Sequence, residues 1–119
     1  MYMVARMYNK YGNRKVVSNG IKYDSKKEAR RGNELRLLEK AGVISELKMQ
    51  VPYLLIDTIH YKGKTYPKTQ YYADFEYLEN GKLVVEDVKS EITKKDKTYR
   101  LKIKLLLSKY PDIDFREIL

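Results

Sequence analysis

The sequence predicts an α/β (α+β) protein with a mixed β-sheet flanked by helices, in the order helix, three strands, helix, strand (αβββαβ). Two stretches of helical periodicity are separated by β-prone runs, an Asn-Gly dipeptide joins two of those runs, and a last β-prone run follows the second helix. A strand that follows a crossover helix pairs in parallel with the strand before it. The sheet should therefore contain both antiparallel and parallel pairs.

The 119-residue chain, 43% hydrophobic, has the length of one domain and enough apolar side chains for one core. We therefore expect a single domain over residues 1–119, with residues 1–13 loosely ordered. The absence of cysteine and the single histidine exclude disulfide frameworks, thiolate zinc sites and multi-histidine metal sites. No apolar run reaches the ~18 residues of a membrane span and no signal-peptide pattern opens the chain, so we expect a cytoplasmic protein without a membrane partner.

The first predicted elements are a short hairpin and a helix. The hairpin covers residues 14–24, around an Asn-Gly turn signal. Ser25 and Glu28 form a capping box, which predicts that the helix begins there and ends near Gly42. Glu28 shares the inward stripe of this helix with Gly32 and Leu35, which leaves it two roles: a helix cap or a metal ligand.

The second part of the chain is predicted from turn signals and β-prone runs. Pro52 indicates an edge strand or a bend, and Pro111 ends the last helix. In chain order the expected elements are β-prone runs at 43–50 and 51–56, a turn at 61–68, strands at 71–78 and 83–89, a polar loop at 90–97, a basic helix at 98–110 and a strand at 113–119.

Charge is distributed unevenly along the chain. Residues 1–70 carry 15 Lys and Arg against 6 Asp and Glu, whereas residues 71–119 carry 10 of each, so the net charge of +9 comes from the first part. A basic surface attracts phosphate backbones, although a solvated lysine-rich surface is the simpler explanation. Carboxylates concentrated near a basic surface favour a reaction at phosphate over simple binding, because acidic side chains beside phosphate do not strengthen binding.

The second Asn-Gly turn predicts which acids meet. With Asn and Gly as the two turn residues, Asp74 lies directly opposite Asp87, and Tyr72 lies opposite Lys89. Opposed side chains have Cβ atoms ~4.5–5.5 Å apart. Two carboxylates that close repel by roughly 3 kcal/mol at an effective dielectric constant of ~20. Such a pair is tolerated where a cation bridges it or where a shared proton is useful.

Several alternatives remain open at this point. The acids could belong to a solvent-facing sheet in which Lys89 pairs with either of them, and a register shift of one residue would replace Asp87 with Glu86. His60, before a turn, is expected at the surface. Tyr71 and Tyr77 are expected in the core, whereas Tyr72, beside the acids, is the tyrosine placed to stack on a base. The positively charged residues expected on the DNA side, or else on a solvated helix face, are Lys26, Lys27, Arg30, Arg31, Arg100 and Lys102.

This pattern resembles the PD-(D/E)XK nuclease superfamily over about residues 20–119. The residues that carry the resemblance are Asp74, the triplet Asp87-Val88-Lys89, and Glu28 within YDSKKEAR, which is similar to the acidic first helix of several branches. The order of elements also agrees. Ala73 departs from the pattern, because a proline often precedes the first acid. The resemblance extends to small phage and prophage endonucleases, with Holliday-junction resolvases among their relatives.

The resemblance implies a restriction-endonuclease-like core and a Mg²⁺-dependent endodeoxyribonuclease, with Mn²⁺ as a substitute metal. The implied metal ligands are Asp74, Asp87, the Val88 carbonyl and Glu28, and Lys89 completes the catalytic set. It further implies a DNA substrate, including branched DNA, and a homodimer that makes two symmetric cuts. The alternative from another class is a basic nucleic-acid-binding protein without catalysis.

Overall fold

The structure, a computed structural model, describes residues 15–119 except for Asn19 and Asp24. The loose order predicted for residues 1–13 and the Asn19 turn position lie outside the described residues. The chain divides into two compact units, Met1–Ile44 and Ser45–Leu119.

The first unit contains the predicted hairpin and helix. Strands β1 (Val16–Ser18) and β2 (Ile21–Tyr23) pair in an antiparallel manner before helix α1 (Lys26–Lys40). The Glu28 backbone N–H donates a 3.1 Å hydrogen bond to Ser25 Oγ, so this part of the capping box is confirmed. Gly42 has a φ of 81° directly after the helix, which is the conformation of a glycine helix stop.

The second unit contains six strands and two helices. They are β3 (Ser45–Ile56), β4 (Ile59–Tyr61), β5 (Lys64–Tyr66), β6 (Thr69–Glu79), β7 (Lys82–Val88), α2 (Glu91–Lys94), α3 (Lys97–Lys109) and β8 (Asp114–Ile118). Four of these strands form one sheet in the order β3-β6-β7-β8. The first two pairs are antiparallel and the β7–β8 pair is parallel, so the predicted mixed sheet is confirmed.

Pro52 lies in an edge strand, one of the two positions predicted for it, where a missing N–H can be tolerated. The β-prone runs at 43–50 and 51–56 join in this one strand, Ser45–Ile56. Two other local predictions for the second unit were wrong. The predicted turn at 61–68 is part of a hairpin, because Lys62 and Gly63 both adopt positive φ and reverse the chain between β4 and β5. The predicted polar loop contains α2, which Ser90 caps by accepting a 3.1 Å hydrogen bond from the Thr93 N–H.

The core of the second unit lies between α3 and the sheet. Tyr99 and Leu106 are the buried residues of α3. The other buried members of this cluster come from the strands: Tyr53, Leu55, Tyr71, Ala73 and Val85. Strands β6 and β7 therefore occupy central positions in the sheet, and most of their residues are buried or half-buried. None of the helices in the described part of the chain combines the length and apolar character needed to span a bilayer.

Candidate metal and nucleic-acid site

The β6–β7 hairpin has the predicted register. Asn80 and Gly81 have φ values of 51° and 76°, as a two-residue type I′ turn requires. The paired residues run from Glu79 opposite Lys82 to Phe75 opposite Glu86. Because register is set by this turn, Asp74 and Asp87 occupy the next positions along the two strands.

The backbone pairing of β6 with β7 ends one residue pair before the two acids, and beyond that point a hydrogen bond to the Asp74 side chain links the strands. Beyond Phe75, the Asp74 carboxylate reaches across to β7, where Oδ2 accepts a 2.8 Å hydrogen bond from the Val88 N–H. Asp74 is only 8% exposed. A charge-assisted hydrogen bond of this length holds the carboxylate in one orientation. The strands therefore separate at the point where the acids lie.

Asp87 is the more deeply buried acid, at 1% exposure. Its Oδ2 lies 3.4 Å from Lys89 Nζ, which is an ion-pair distance. The same oxygen makes no hydrogen bond to any described residue, because the lysine lacks the required angle. A buried carboxylate oxygen without a hydrogen bond is costly in a folded protein. Asp87 is therefore the acid with free coordination capacity.

Burial raises the pKa of Asp87 to about 8, and the neighbouring Asp74 carboxylate contributes in the same direction. Lys89 opposes this effect without cancelling it. Two carboxylates this close cannot both ionise easily without a cation. In the absence of metal, the pair therefore holds a proton near neutral pH.

Tyr71, and not Tyr72, is the tyrosine that faces Asp87. The Tyr71 ring lies 6.4 Å from Phe115, which pairs with Val85 on the Asp87 side of the sheet. Burial and the Asp87 carboxylate both raise the pKa of Tyr71, so its hydroxyl stays protonated. The regular side-chain alternation predicted through Asp74 is therefore wrong, because the β6–β7 ladder does not continue past Phe75.

Lys89 is held between an acid and an aromatic ring. Its ammonium nitrogen lies 4.9 Å from the centre of the Tyr99 ring, a cation–π distance. The Tyr99 hydroxyl in turn donates a 2.5 Å hydrogen bond to Glu117 Oε2. Tyr99 is in the first turn of α3, where Asp96 caps the helix by accepting a 2.9 Å bond from the Tyr99 N–H. The start of α3 thus positions the lysine.

A strained residue of β3 also contacts the acid pair. Gln50 has a φ of 52°, although it is neither glycine nor at a chain reversal. Its Nε2 lies 3.5 Å from Asp74 Oδ1, at the long end of hydrogen-bond distance. A left-handed backbone at a residue with a side chain costs about 1–2 kcal/mol. Such strain clusters at functional positions.

Glu86 belongs to a separate network on the opposite face of the sheet. The buried Glu86 carboxylate accepts a hydrogen bond from the Tyr77 hydroxyl. Arg116 extends this network through an ion pair of 2.8 Å to Glu79 and another of 2.8 Å to Asp114. Glu86 is therefore satisfied by structural partners, unlike Asp87.

The oxygen ligands of this site fit a hard divalent cation. Asp74 and Asp87 supply carboxylates, and one carboxylate oxygen is buried without a hydrogen bond. Among the described residues no group of three or more His, Cys, Asp or Glu side chains is gathered as a metal site. Magnesium tolerates such a set, because it is commonly bound by one or two carboxylates and keeps several waters. The Val88 carbonyl as a further ligand remains a prediction.

Comparison with known proteins identifies a family. A family model described as "Protein of unknown function (DUF1064)" matches residues 8–119. The chain belongs to this family. No curated protein and no solved structure matches it.

Two residues expected to contact DNA lie beside the acids of this DUF1064 chain. Tyr72 and Lys102 line a groove of about 300 Å³ together with Lys89 and Tyr99. Arg100 lines a different groove, of about 620 Å³, along α3. Arg100 and Lys102 therefore lie on different sides of α3, as expected for residues two positions apart in a helix, and DNA contact by both stays a prediction.

The remaining predicted residues belong to the first unit. Glu28 is buried, at 3% exposure, on the stripe of α1 that also contains Gly32 and Leu35, as predicted. Its hydrogen-bonded N–H confirms a position within the cap, and its role as a metal ligand stays a prediction. Arg31 forms a 3.1 Å ion pair with Glu34. The other basic positions expected at the DNA are Lys26, Lys27 and Arg30, of which Lys26 and Arg30 are exposed.

Sequence reasoning missed three contributors to the site: Gln50, Tyr71 and Tyr99. Gln50 carries no local signal for a positive φ, since asparagine and glycine are the residues that favour it. Tyr71 was expected only in the core. Tyr99 could have been found from its place in the first turn of a basic helix, directly after the predicted loop.

Proposed function

We propose that this protein is a metal-dependent, phage-type DNA endonuclease that hydrolyses phosphodiester bonds, built on a PD-(D/E)XK nuclease-like core. The observation that carries the proposal is the buried pair Asp74 and Asp87 at the point where two central strands separate, with Lys89 Nζ 3.4 Å from Asp87 Oδ2. The resemblance of these residues to the nuclease pattern supports the same chemistry.

Asp74 bonds the Val88 N–H, whereas one buried carboxylate oxygen of Asp87 has no hydrogen-bond partner among the described residues. A structural acid is expected to be satisfied, as Glu86 is by Tyr77. Asp87 instead keeps an oxygen without a hydrogen bond and holds a raised pKa. Acids beside phosphate would also weaken simple DNA binding. Both facts favour a site that gains its stability when a cation binds.

Each residue has a distinct proposed role. Asp74 and Asp87, with the Val88 carbonyl, would hold Mg²⁺, or Mn²⁺ in its place. The bound metal would polarise the scissile phosphate and lower the pKa of a water molecule. Lys89 would orient the attacking water or stabilise charge that develops on the phosphoryl oxygens. Tyr99 would keep the lysine over the site, and Glu28 is the proposed additional carboxylate.

The proposed substrate is DNA, with branched DNA such as a Holliday junction as the structure-selective case. The basic excess of residues 1–70 supports attraction to the phosphate backbone. Tyr72 and Lys102, in the groove that contains Lys89, would contact DNA next to the cleaved bond. A homodimer would supply the two symmetric cuts that resolution of a junction needs.

The test is a cleavage assay on purified protein. A four-way junction, a linear duplex and a single strand of matched sequence are each incubated with Mg²⁺, with Mn²⁺ and with excess chelator. The proposal expects cleavage of at least one DNA with metal and none with chelator. The variant Asp87→Asn should bind the same DNA and leave it intact.

Binding of all three DNAs without cleavage in either metal would reject the nuclease and favour the non-catalytic binding protein. Preference for the junction over the other two substrates would support the resolvase. Equal cleavage of duplex and junction would indicate an endonuclease that does not select its substrate by DNA structure.

A further inference from the structure

The hairpin β4–β5 projects an aromatic surface that nothing else in the described chain covers. Every residue from 56 to 68 is exposed. The two strands form a sheet of their own, separate from the four-stranded sheet of the second unit. The hairpin continues the β3–β6 pair beyond Ile56 and Thr69, and large apolar side chains exposed at such a tip call for a functional reason.

The pairing register of β4 and β5 places the side chains of this hairpin on two different faces. Ile59 pairs with Tyr66, and Tyr61 pairs with Lys64, so these four residues share one face. His60 pairs with Thr65 on the other face, where their side chains are 3.1 Å apart. One face is therefore aromatic and apolar, while the other is polar.

The three large apolar side chains of this face are about half exposed. Ile59, Tyr61 and Tyr66 are 51%, 59% and 51% exposed. Lys62 at the turn lies with its ammonium nitrogen 5.4 Å from the centre of the Tyr61 ring. Lys64 adds a second positive charge on the same face. Two tyrosine rings are thus bordered by cations.

We propose that the β4–β5 hairpin is a nucleic-acid arm that stacks Tyr61 and Tyr66 on unpaired bases while Lys62 and Lys64 contact the adjacent phosphates. Aromatic rings interleaved with positive charge are the composition of single-strand binding surfaces, because every base offers a π face. Bases within a duplex are already stacked on each other. The arm therefore selects DNA that contains unpaired bases, such as a single strand or an open branch point.

A second copy of this chain is a less suitable occupant of the surface. A stable interface buries roughly 800 Å² on each partner, from about 20–30 residues a side, which exceeds what three apolar side chains offer. Face-to-face pairing of two hairpins would also bring the lysines of both copies together. A nucleic acid on the same surface avoids this repulsion, because its phosphates carry the opposite charge to the lysines.

This inference rests on the proposed function, since it names the feature of the DNA substrate that the chain recognises. Its test does not need cleavage. Fluorescence anisotropy in excess chelator measures binding of a labelled 20-nucleotide dT strand and of a labelled 20-base-pair blunt duplex. The variants are Tyr61→Ala/Tyr66→Ala, Tyr61→Phe/Tyr66→Phe and, as a control on the opposite face, His60→Ala.

We expect the double alanine variant, Tyr61→Ala/Tyr66→Ala, to lose about tenfold or more in affinity for the dT strand. Its affinity for the duplex should change by less than about twofold, and the double phenylalanine variant should keep most of the single-strand affinity. His60→Ala should behave as the wild type. Lys62→Gln/Lys64→Gln should reduce the salt dependence of dT binding, because two phosphate contacts are lost.

Three results would overturn the arm: no binding of dT by the wild type, an unchanged dT affinity in the double alanine variant, or an equal loss for both probes. Sedimentation that changes from dimer to monomer in the double alanine variant would assign the surface to a second copy instead. Thermal melting verifies that the exposed substitutions leave the fold intact. Absence of cleavage by the wild type would reject the nuclease alone and leave the binding result standing.

Discussion

The ammonium nitrogen of Lys89 lies 3.4 Å from Asp87 Oδ2, yet that oxygen makes no hydrogen bond to any described residue. One lysine thus faces two buried carboxylates, since Asp74 lies beside Asp87. Only one of the two negative charges can be balanced in this way. The other charge is neutralised by a proton, which the buried pair keeps near neutral pH until a cation replaces it.

Metal-free stability should fall as pH rises. Burial raises the pKa of Asp87 from 3.8 to about 8, so between these values the folded protein keeps a proton that the unfolded chain has lost. The contribution is fully present below about pH 4 and is lost as pH rises through the folded pKa, with a slope of up to about 1.4 kcal/mol per pH unit. Calorimetry in chelator at pH 5, 6, 7 and 8 measures this slope. Asp87→Asn should melt with a flatter profile, and parallel profiles for the two proteins would contradict the assignment.

Neutralising either acid should abolish cleavage and spare DNA binding. Asp74→Asn and Asp87→Asn remove the charge that a cation needs, and binding should stay level or tighten slightly because negative charge near phosphate is lost. Glu86→Gln, one residue away and on the other face, is the matched control and should retain most activity. A dead Glu86→Gln with an active Asp87→Asn would mean that the catalytic register is shifted by one residue.

Calcium should bind without supporting turnover. The site offers only oxygen ligands, which suit both Ca²⁺ and Mg²⁺, but Ca²⁺ adopts a larger and more flexible coordination shell. We expect Ca²⁺ to raise the melting temperature of the wild type and to inhibit Mg²⁺-supported cleavage by competition. Robust cleavage in excess chelator would eliminate the metal mechanism altogether.

Gln50 should contribute more to activity than to stability. Gln50→Gly removes the cost of a left-handed backbone at a residue with a side chain, about 1–2 kcal/mol. Glycine also makes the unfolded chain more flexible, which offsets about 0.5–1 kcal/mol of this gain in stability. Glu46→Gly is the matched control, because Glu46 has a similar φ of 53° in the same strand. Both variants should stay within about 1 kcal/mol of wild-type stability. Only Gln50→Gly should slow cleavage, since it removes the side-chain amide beside Asp74. Equal cleavage rates for the two variants would show that Gln50 has no role in catalysis.

The two roles of Glu28 can be separated with one conservative change. If Glu28 only caps α1, Glu28→Gln retains most of the capping box and should change stability by a few tenths of a kcal/mol, with near-normal cleavage. If it is a metal ligand, cleavage should fall by orders of magnitude while the melting temperature in chelator stays level or rises. Paired measurement of cleavage in Mg²⁺ and melting in chelator decides between the two roles, and normal cleavage by Glu28→Gln would leave Asp74, Asp87 and Lys89 as the whole site.

Local chemistry made part of this architecture predictable. An Asn-Gly pair adopts positive φ readily, so the turn at Asn80 determined the β6–β7 register and with it the neighbourhood of Asp74 and Asp87. The capping sequence at Ser25 and the glycine at Gly42 likewise specified where α1 begins and ends. The β4–β5 hairpin was missed, because its Lys62-Gly63 turn is a weaker signal than Asn-Gly.

The sequence by itself determined most of the elements and the approach of the two acids, because these follow from residues close in the chain or joined by one tight turn. The mixed sheet followed from the order of the elements, since strands joined by a crossover helix pair in parallel. Only the tertiary structure decided how the acids are held. Gln50 comes from the neighbouring edge strand and Tyr99 from a helix, and Tyr71 turns towards Asp87 where the ladder ends. These contacts depend on packing between distant segments, which the periodicity of a single segment does not encode.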